Sequence, residues 1–348
     1  MRVRVYRIVW RLGPALTVLV MTACGTTSGS PGKSPSTTPA AETVATGPLL
    51  GAWWDASSGG LRAVYGVTGA AWQASATYND GTYANAAICM RQRIALLATN
   101  RGALFLTGLP QGVPVAVGNV TSAQAQIAFS PSCSAALAYT PGQTTALLLE
   151  GLPAVPHASR VALPAGTATA VVADSGAVLA NVPQSGGGAA IDFVSSATAA
   201  THAVTAVAKF GGMAFLPGAD TALVADAGAS TVIEAAQMSG SASLTHIAGP
   251  ADGLAEPIAV AVSSDGHRAA IANQKDSSIV RIDLTGLTPA ARAVCHCTPT
   301  TLVALAGNLA FRVNATGAGT VWAYDGDAAT PRFVFLPAEQ AAAQGARP

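Results

Sequence analysis

The chain has 348 residues, half of them hydrophobic and only 10% charged, with a formal charge of +1 at neutral pH. Without a basic stripe or a strong net charge, nucleic-acid binding has no electrostatic basis. So few charged residues also argue against a helix-rich soluble body, while 36 Gly and 21 Pro mark many turns.

Residues 1–23 read as a targeting segment. Arg2, Arg4, Arg7 and Arg11 form a basic start, and residues 14–23 form an apolar run. That run is about ten residues long, too short for a transmembrane helix, which needs about 20. It ends in Met21-Thr22-Ala23-Cys24. These residues resemble the lipobox of bacterial lipoproteins, with Met21 where leucine is usual, and the resemblance covers the first 24 residues only. It implies removal of residues 1–23 and diacylation of Cys24 as the new N-terminus. An ordinary secretory signal with an incidental cysteine is the alternative.

Residues 24–46 are Gly, Ser, Thr and Pro with almost no apolar anchor, so they are expected to form a disordered linker. As a coil this stretch spans roughly 25 Å, a tether between a lipid and a folded body. The implied partner is a membrane, held through the lipid on Cys24, and the implied location is the bacterial cell envelope, on its periplasmic side or at the cell surface. Gly25 does not match the aspartate that retains enteric lipoproteins at the inner membrane, so an outer membrane is the expected destination where the cell has one.

Residues 47–340 carry a repeat. A short apolar run, a turn, a second apolar run ending in a polar residue, a Gly-rich turn and a third run recur at 87–109, 127–152, 170–194, 213–236, 258–284 and 301–326. The second runs centre on Leu97, Leu137, Leu179, Leu223, Ile271 and Phe311, spaced 40, 42, 44, 48 and 40 residues apart. The runs alternate or are continuously apolar over a few residues, without helical periodicity. A period of 40 to 48 residues built from several short strands is that of an all-β propeller. Residues 49–72 read as two further strands of a partial first blade. The segment 332–340 is expected to supply its missing strand and so close the ring. The expected count is seven blades, with six or eight as alternatives, and residues 341–348 form a disordered tail.

The copy at 258–284 holds Ala259-Val260-Ala261-Val262-Ser263-Ser264-Asp265-Gly266, then residues 269–273 and 279–284. It resembles the seven-bladed propellers of the YVTN, NHL and lactonase-like group. The stretch 61–72 and Cys295-His296-Cys297-Thr298-Pro299-Thr300 are similar to uncharacterised acidobacterial propeller proteins. The group contains binders, scaffolds and a few enzymes, so the resemblance implies a fold and no single activity.

Removing Cys24 from the five cysteines leaves Cys89, Cys133, Cys295 and Cys297. An even set in an oxidising compartment is expected to form disulfides, with three pairings open. Cys295-His296-Cys297 also has the ligands of a soft-metal or redox site, but lacks the second pair of a structural zinc site. Cys89 and Cys133 fall in consecutive repeats, which a bridge would staple. The five histidines show no metal-ligand spacing, and no G-x-S-x-G, P-loop or dinucleotide fingerprint occurs. No metal and no cofactor is therefore expected.

Asp174, Asp226, Asp265, Asp276 and Asp325 fall at predicted blade turns, where Asp commonly bonds its own backbone. Gathered at a channel mouth, they could instead hold a divalent metal. Trp53, Trp54, Trp72, Trp322 and Tyr324 cluster at the two ends of the repeat region, as packing around the closure would require. The expected function is a monomeric, membrane-tethered, non-catalytic binding or scaffold module with an envelope protein partner. A metal-dependent, lactonase-like hydrolase using the channel carboxylates is the alternative.

Overall fold

A computed structural model describes residues 47–120, 122, 125–288, 290–314 and 321–337. The segments expected as a signal at 1–23, a linker at 24–46 (with Cys24) and a tail at 341–348 lie outside the described residues.

Seven antiparallel sheets follow one another along the chain, each a meander of neighbouring strands. They span residues 49–73, 83–119, 126–162, 169–207, 210–248, 257–294 and 303–336. This is a seven-bladed β-propeller. We number the blades one to seven, and call the strands of blades two to seven inner, second, third and outer in chain order.

The second strands are the most buried. Ala135–Tyr139, Ala222–Asp226 and most of Arg268–Asn273 are enclosed from end to end. Each lies between two neighbouring strands and between two neighbouring blades, so both faces must be apolar. Alanine serves this position because its short side chain lets sheets pack closely. Ala136, Ala222, Ala225, Ala269 and Ala272 are fully buried, and tertiary packing here overrides the residue's preference for helix. Glycine does the same between the inner strands of blades five and six. A Cβ on Gly211 would collide with the carbonyl oxygen of Pro257, and one on Gly212 would lie 3.1 Å from the Cα of Ala259.

Blade one departs from the others. Its sheet has three described strands, Leu49–Asp55, Gly60–Val67 and Ala70–Gln73. The first of these occupies the place of a second strand. It is almost wholly buried and ends in the buried Asp55, as the second strands of blades five and six end in the buried Asp226 and Asn273. It also runs opposite to the inner strand of blade seven, Val303–Ala304. Leu50 accepts a hydrogen bond from Ala306 N, whereas Trp53, three residues on, lies against Arg312, whose strand partner is Val303. Among the described residues, no strand lies on the inner side of Leu49–Asp55.

The closure differs from the expectation accordingly. Arg332–Leu336 does not join blade one; it pairs with Val321–Asp325 as the outer strand of blade seven. It follows the third strand after a short turn, so local pairing is satisfied within its own blade. Residues 338–340 of the expected closing segment lie outside the described residues. Blades seven and one meet face to face, through Leu50, Trp53, Val64, Leu305, Ala310, Val321, Ala323 and Leu336. The side-chain amide of Gln73 adds hydrogen bonds to the carbonyl oxygens of Leu336 (3.3 Å) and Pro337 (2.9 Å).

The turns between inner and second strands are stitched from blade to blade. Asp174 of blade four accepts from Ser132 N (2.8 Å) and Ser132 Oγ (2.6 Å) of blade three, and from Gly218 N (2.9 Å) of blade five. Ser175 donates to Asp220 across the same junction, and Asn308 of blade seven donates to Asp265 of blade six. Cys89 at the end of the inner strand of blade two is bonded to Cys133 in the turn of blade three. Cys133 has φ +65°, at the turn position where Gly176 and Gly266 have φ +82° and +76°. The second bridge joins Cys295 to Cys297 after the outer strand of blade six. Of the three pairings open from sequence, the structure shows this one.

Candidate binding cavity in the ring

The inner strands of blades two to seven and Trp53 and Trp54 of blade one enclose a cavity of about 960 Å³. That volume is in the range of small-molecule sites. Its wall presents polar and apolar surface in about equal measure, with Ile88, Ile127 and Phe129 among the half-buried apolar lining residues. Its charged lining residues are Arg91, Arg93 and Arg312, and no Asp or Glu belongs to the described lining.

Arg91 and Arg93 are exposed and sit on the turn of blade two. Arg91 Nη1 donates to the carbonyl oxygen of Ser264 in blade six at 2.8 Å. These blades are not neighbours in the ring, so the contact crosses the mouth of the cavity.

Arg312 is different, being only 8% exposed. Inner-strand pairing fixes its equivalents in the other repeats. Val303 faces Arg312 as Ala128 faces Leu137, Val171 faces Leu179, Ala214 faces Leu223 and Ala261 faces Ala270. Those four equivalents are fully buried apolar residues. A guanidinium thus occupies a core position of the repeat, on the strand Ala310–Arg312. It lies over the Trp53 ring, with Cζ 5.4 Å from the ring centroid. Its Nε and Nη1 are buried and have no hydrogen-bond partner among the described residues. Burial lowers its pKa to about 10, so it is charged at neutral pH.

The five turn aspartates, expected to bond their own turns and only alternatively to gather at a channel mouth, do not converge. Asp174 and Asp265 join neighbouring turns, as described above. Asp226 accepts from the backbone N–H groups of Ala208, Lys209, Gly228 and Ala229. Asp276 pairs with Arg292 and Asp325 with Arg332. Each ends a strand or closely follows one, where a carboxylate satisfies backbone or neighbouring donors locally. Among the described residues, no three His, Cys, Asp or Glu side chains stand close enough together to hold a metal ion.

The aromatic residues divide between two roles. Trp53 is buried in the seam between blades seven and one and also borders the cavity. Tyr324 is fully buried beside Phe333, and Trp322 lies near Phe335. Trp72, partly exposed, stacks on Tyr65 at 5.1 Å within blade one, away from the seam core.

Sequence reasoning passed over Arg312. The signal was present in the last copy, where Leu309-Ala310-Phe311-Arg312-Val313 places a charge inside an apolar run. Aligning the second runs by their turns brings it opposite Leu137, Leu179 and Leu223.

No family model matches the sequence, and no curated protein matches it. Solved structures match the fold. A functionally unknown protein from Desulfotomaculum acetoxidans DSM 771 superposes with a TM-score of 0.57 at 12% identity, covering 84% of this chain and 100% of its own. Hydrazine synthase of Kuenenia stuttgartiensis matches with a TM-score of 0.49 at 10% identity, over 86% of this chain and 98% of that one. At such identities the first likeness shows the propeller fold alone, and the second is too loose to add to it.

Proposed function

We propose that the protein is a lipid-anchored, non-catalytic β-propeller that serves as a binding module in the bacterial cell envelope. The cavity lining carries this reading. It sets apolar and aromatic side chains beside polar groups and three arginines, with no Asp or Glu in the described lining. Such a wall suits capture better than hydrolysis, so the lactonase-like alternative has no support from the positions of the turn aspartates.

The anchor rests on the resemblance of residues 21–24 to a lipobox and on the linker composition of residues 24–46. Cys24 carries the lipid, and the propeller acts as a monomer at the end of the tether, accessible to an envelope protein partner. The resemblance of residues 258–284 to the YVTN, NHL and lactonase-like group agrees with a binding role, since that group includes binders and scaffolds.

Mass spectrometry of the mature N-terminal peptide, paired with fractionation of a Cys24→Ser chain, tests the reading. The expected result is a diacylglyceryl thioether on Cys24 and release of the variant from the membrane fraction. An unmodified Cys24, or metal-dependent turnover of a lactone panel by the purified protein, would overturn it.

A further inference from the structure

We propose that Arg312, stacked on Trp53 at the wall of the central cavity, anchors an oxyanion site for a small organic acid: a carboxylate or phosphate group on an apolar body. The assignment deepens the binding-module reading and rests on it.

A guanidinium at a fully buried repeat position is costly to keep. Removing an ion from water is repaid only when the geometry supplies a counter-charge and hydrogen bonds. Among the described residues Arg312 has no carboxylate partner, and its Nε and Nη1 find no acceptor. Leucine or alanine fills the same position in blades three to six. A site that retains an uncompensated cation at the edge of a cavity is organised for something that arrives from outside.

The surroundings define the chemical class. The guanidinium fork matches a planar carboxylate or a phosphate, and both give charge-assisted pairs with arginine. Trp53 holds the guanidinium plane by cation–π contact, which orders the fork before a ligand enters. Arg91 and Arg93 on the turn of blade two add positive charge at the mouth, where it draws anions inward. With no carboxylate in the described lining, nothing there competes for the guanidinium. The remaining wall mixes polar groups with the half-buried Ile88, Ile127 and Phe129, against which an apolar or aromatic body can rest. The cavity therefore favours amphipathic acids over inorganic ions.

Thermal unfolding and isothermal titration of the mature protein test the site. Benzoate and hexanoate serve as carboxylate probes, phenyl phosphate as the ester, benzamide as the neutral control and inorganic phosphate as the bare ion. The expected result is a concentration-dependent rise in Tm with benzoate, hexanoate or phenyl phosphate, none with benzamide, and a weaker rise with inorganic phosphate. Whichever organic acid gives the larger shift identifies the preferred head group. Arg312→Leu restores the residue of the other repeats. It is expected to fold with a Tm equal to or above that of the unliganded parent, and to lose the acid-dependent shift at least tenfold. Arg312→Lys keeps the charge without the fork and should bind more weakly than the parent.

An acid-dependent shift that survives in Arg312→Leu would overturn the assignment. So would an Arg312→Leu protein that melts well below the parent, since the guanidinium would then be a stabilising core group. A shift from inorganic phosphate equal to that from the organic acids, or none from any acid at about 10 mM, would also overturn it. None of these results touches the lipid on Cys24, so failure of the anion site is distinguishable from failure of the membrane-anchored reading.

Discussion

Arg91 reaches from blade two to the carbonyl oxygen of Ser264 in blade six, joining two residues that are 173 positions apart in the chain. The contact spans the opening on the side of the inner-to-second turns and narrows the path to Trp53, Trp54 and Arg312. Both ends are exposed, so little stability depends on it. Arg91→Ala is expected to change unfolding free energy by no more than about 0.5 kcal/mol. It should nevertheless raise the rate at which acrylamide quenches Trp53 and Trp54, measured in a chain lacking residues 1–23 and carrying Trp72→Phe and Trp322→Phe. Unchanged quenching would mean that the mouth stays open with Arg91 in place.

Asp174 holds three successive blades at one point. Asp174→Ala removes its bonds to Ser132 and Gly218 together and is expected to cost about 1–3 kcal/mol. Burial opposes ionisation of this carboxyl, but the hydrogen bonds from Ser132 and Gly218 outweigh it and hold the pKa below the ordinary Asp range. Its stabilising effect is therefore complete above that range and fades as the pH falls through the lowered value. Denaturant titrations of parent and variant should show their difference shrinking on acidification. A difference that stayed constant below pH ~3 would place the effect in packing rather than in the charged acceptor.

A second carboxylate gives a sharper acid window. At Asp55, burial again opposes ionisation, and hydrogen bonds from Ser57, Arg62 and Ser58 overcome it to set the pKa at about 2. The ion pair with Arg62 is 2.9 Å long. Because the folded value is depressed, the contribution is present above the unfolded value of about 4 and is lost between roughly pH 4 and 2. Asp55→Asn is expected to lose on the order of 1–2 kcal/mol at neutral pH, and to match the parent near pH ~2. Urea unfolding across that range is the check.

The Cys89–Cys133 bridge closes a loop of 44 residues in sequence and joins adjacent blades. On the chain-entropy account its removal is expected to cost about 3–4 kcal/mol. Cys133 also has a left-handed backbone, which any residue with a Cβ adopts at a cost of about 1 kcal/mol. Once the bridge is gone, glycine should suit the turn better than alanine. The pair Cys89→Ala with Cys133→Gly is thus expected to be about 1 kcal/mol more stable than Cys89→Ala with Cys133→Ala. Equal stability of the two double variants would remove the conformational account of this turn.

The architecture was legible because each blade is a local meander. Short apolar runs, Gly-rich turns and their spacing all repeat, so one strong copy such as 258–284 fixes the reading of weaker ones. The register of blade one was harder to see. Its first run, Leu49-Leu50-Gly51-Ala52-Trp53-Trp54-Asp55, ends in a polar residue as second runs do. With no described strand on its inner side to compare, that ending was the one sequence sign of its place. The closing segment was misplaced because a strand's sequence specifies an amphipathic edge, not the neighbour it pairs with. Channel ligation by the turn aspartates stayed open as an alternative for a related reason: composition cannot say whether a carboxylate at a strand end points toward a shared axis or back to its own turn. Arg312 was missed because each repeat was read for what it shares with the others, and this residue matters through what it does not share.

The junction between the last blade and the first has a mechanical consequence. Described residues join it by side-chain packing, the Gln73 amide and the hydrogen bond from Ala306 N to Leu50 O, rather than by a ladder of paired backbone. The described chain enters the ring at residue 47, directly before the strand that forms one side of this junction. A pull applied at that entry point would load the junction before any other blade. The ring would yield there by peeling one apolar face from another, at a force set by wetting of the exposed surfaces rather than by shearing of strands.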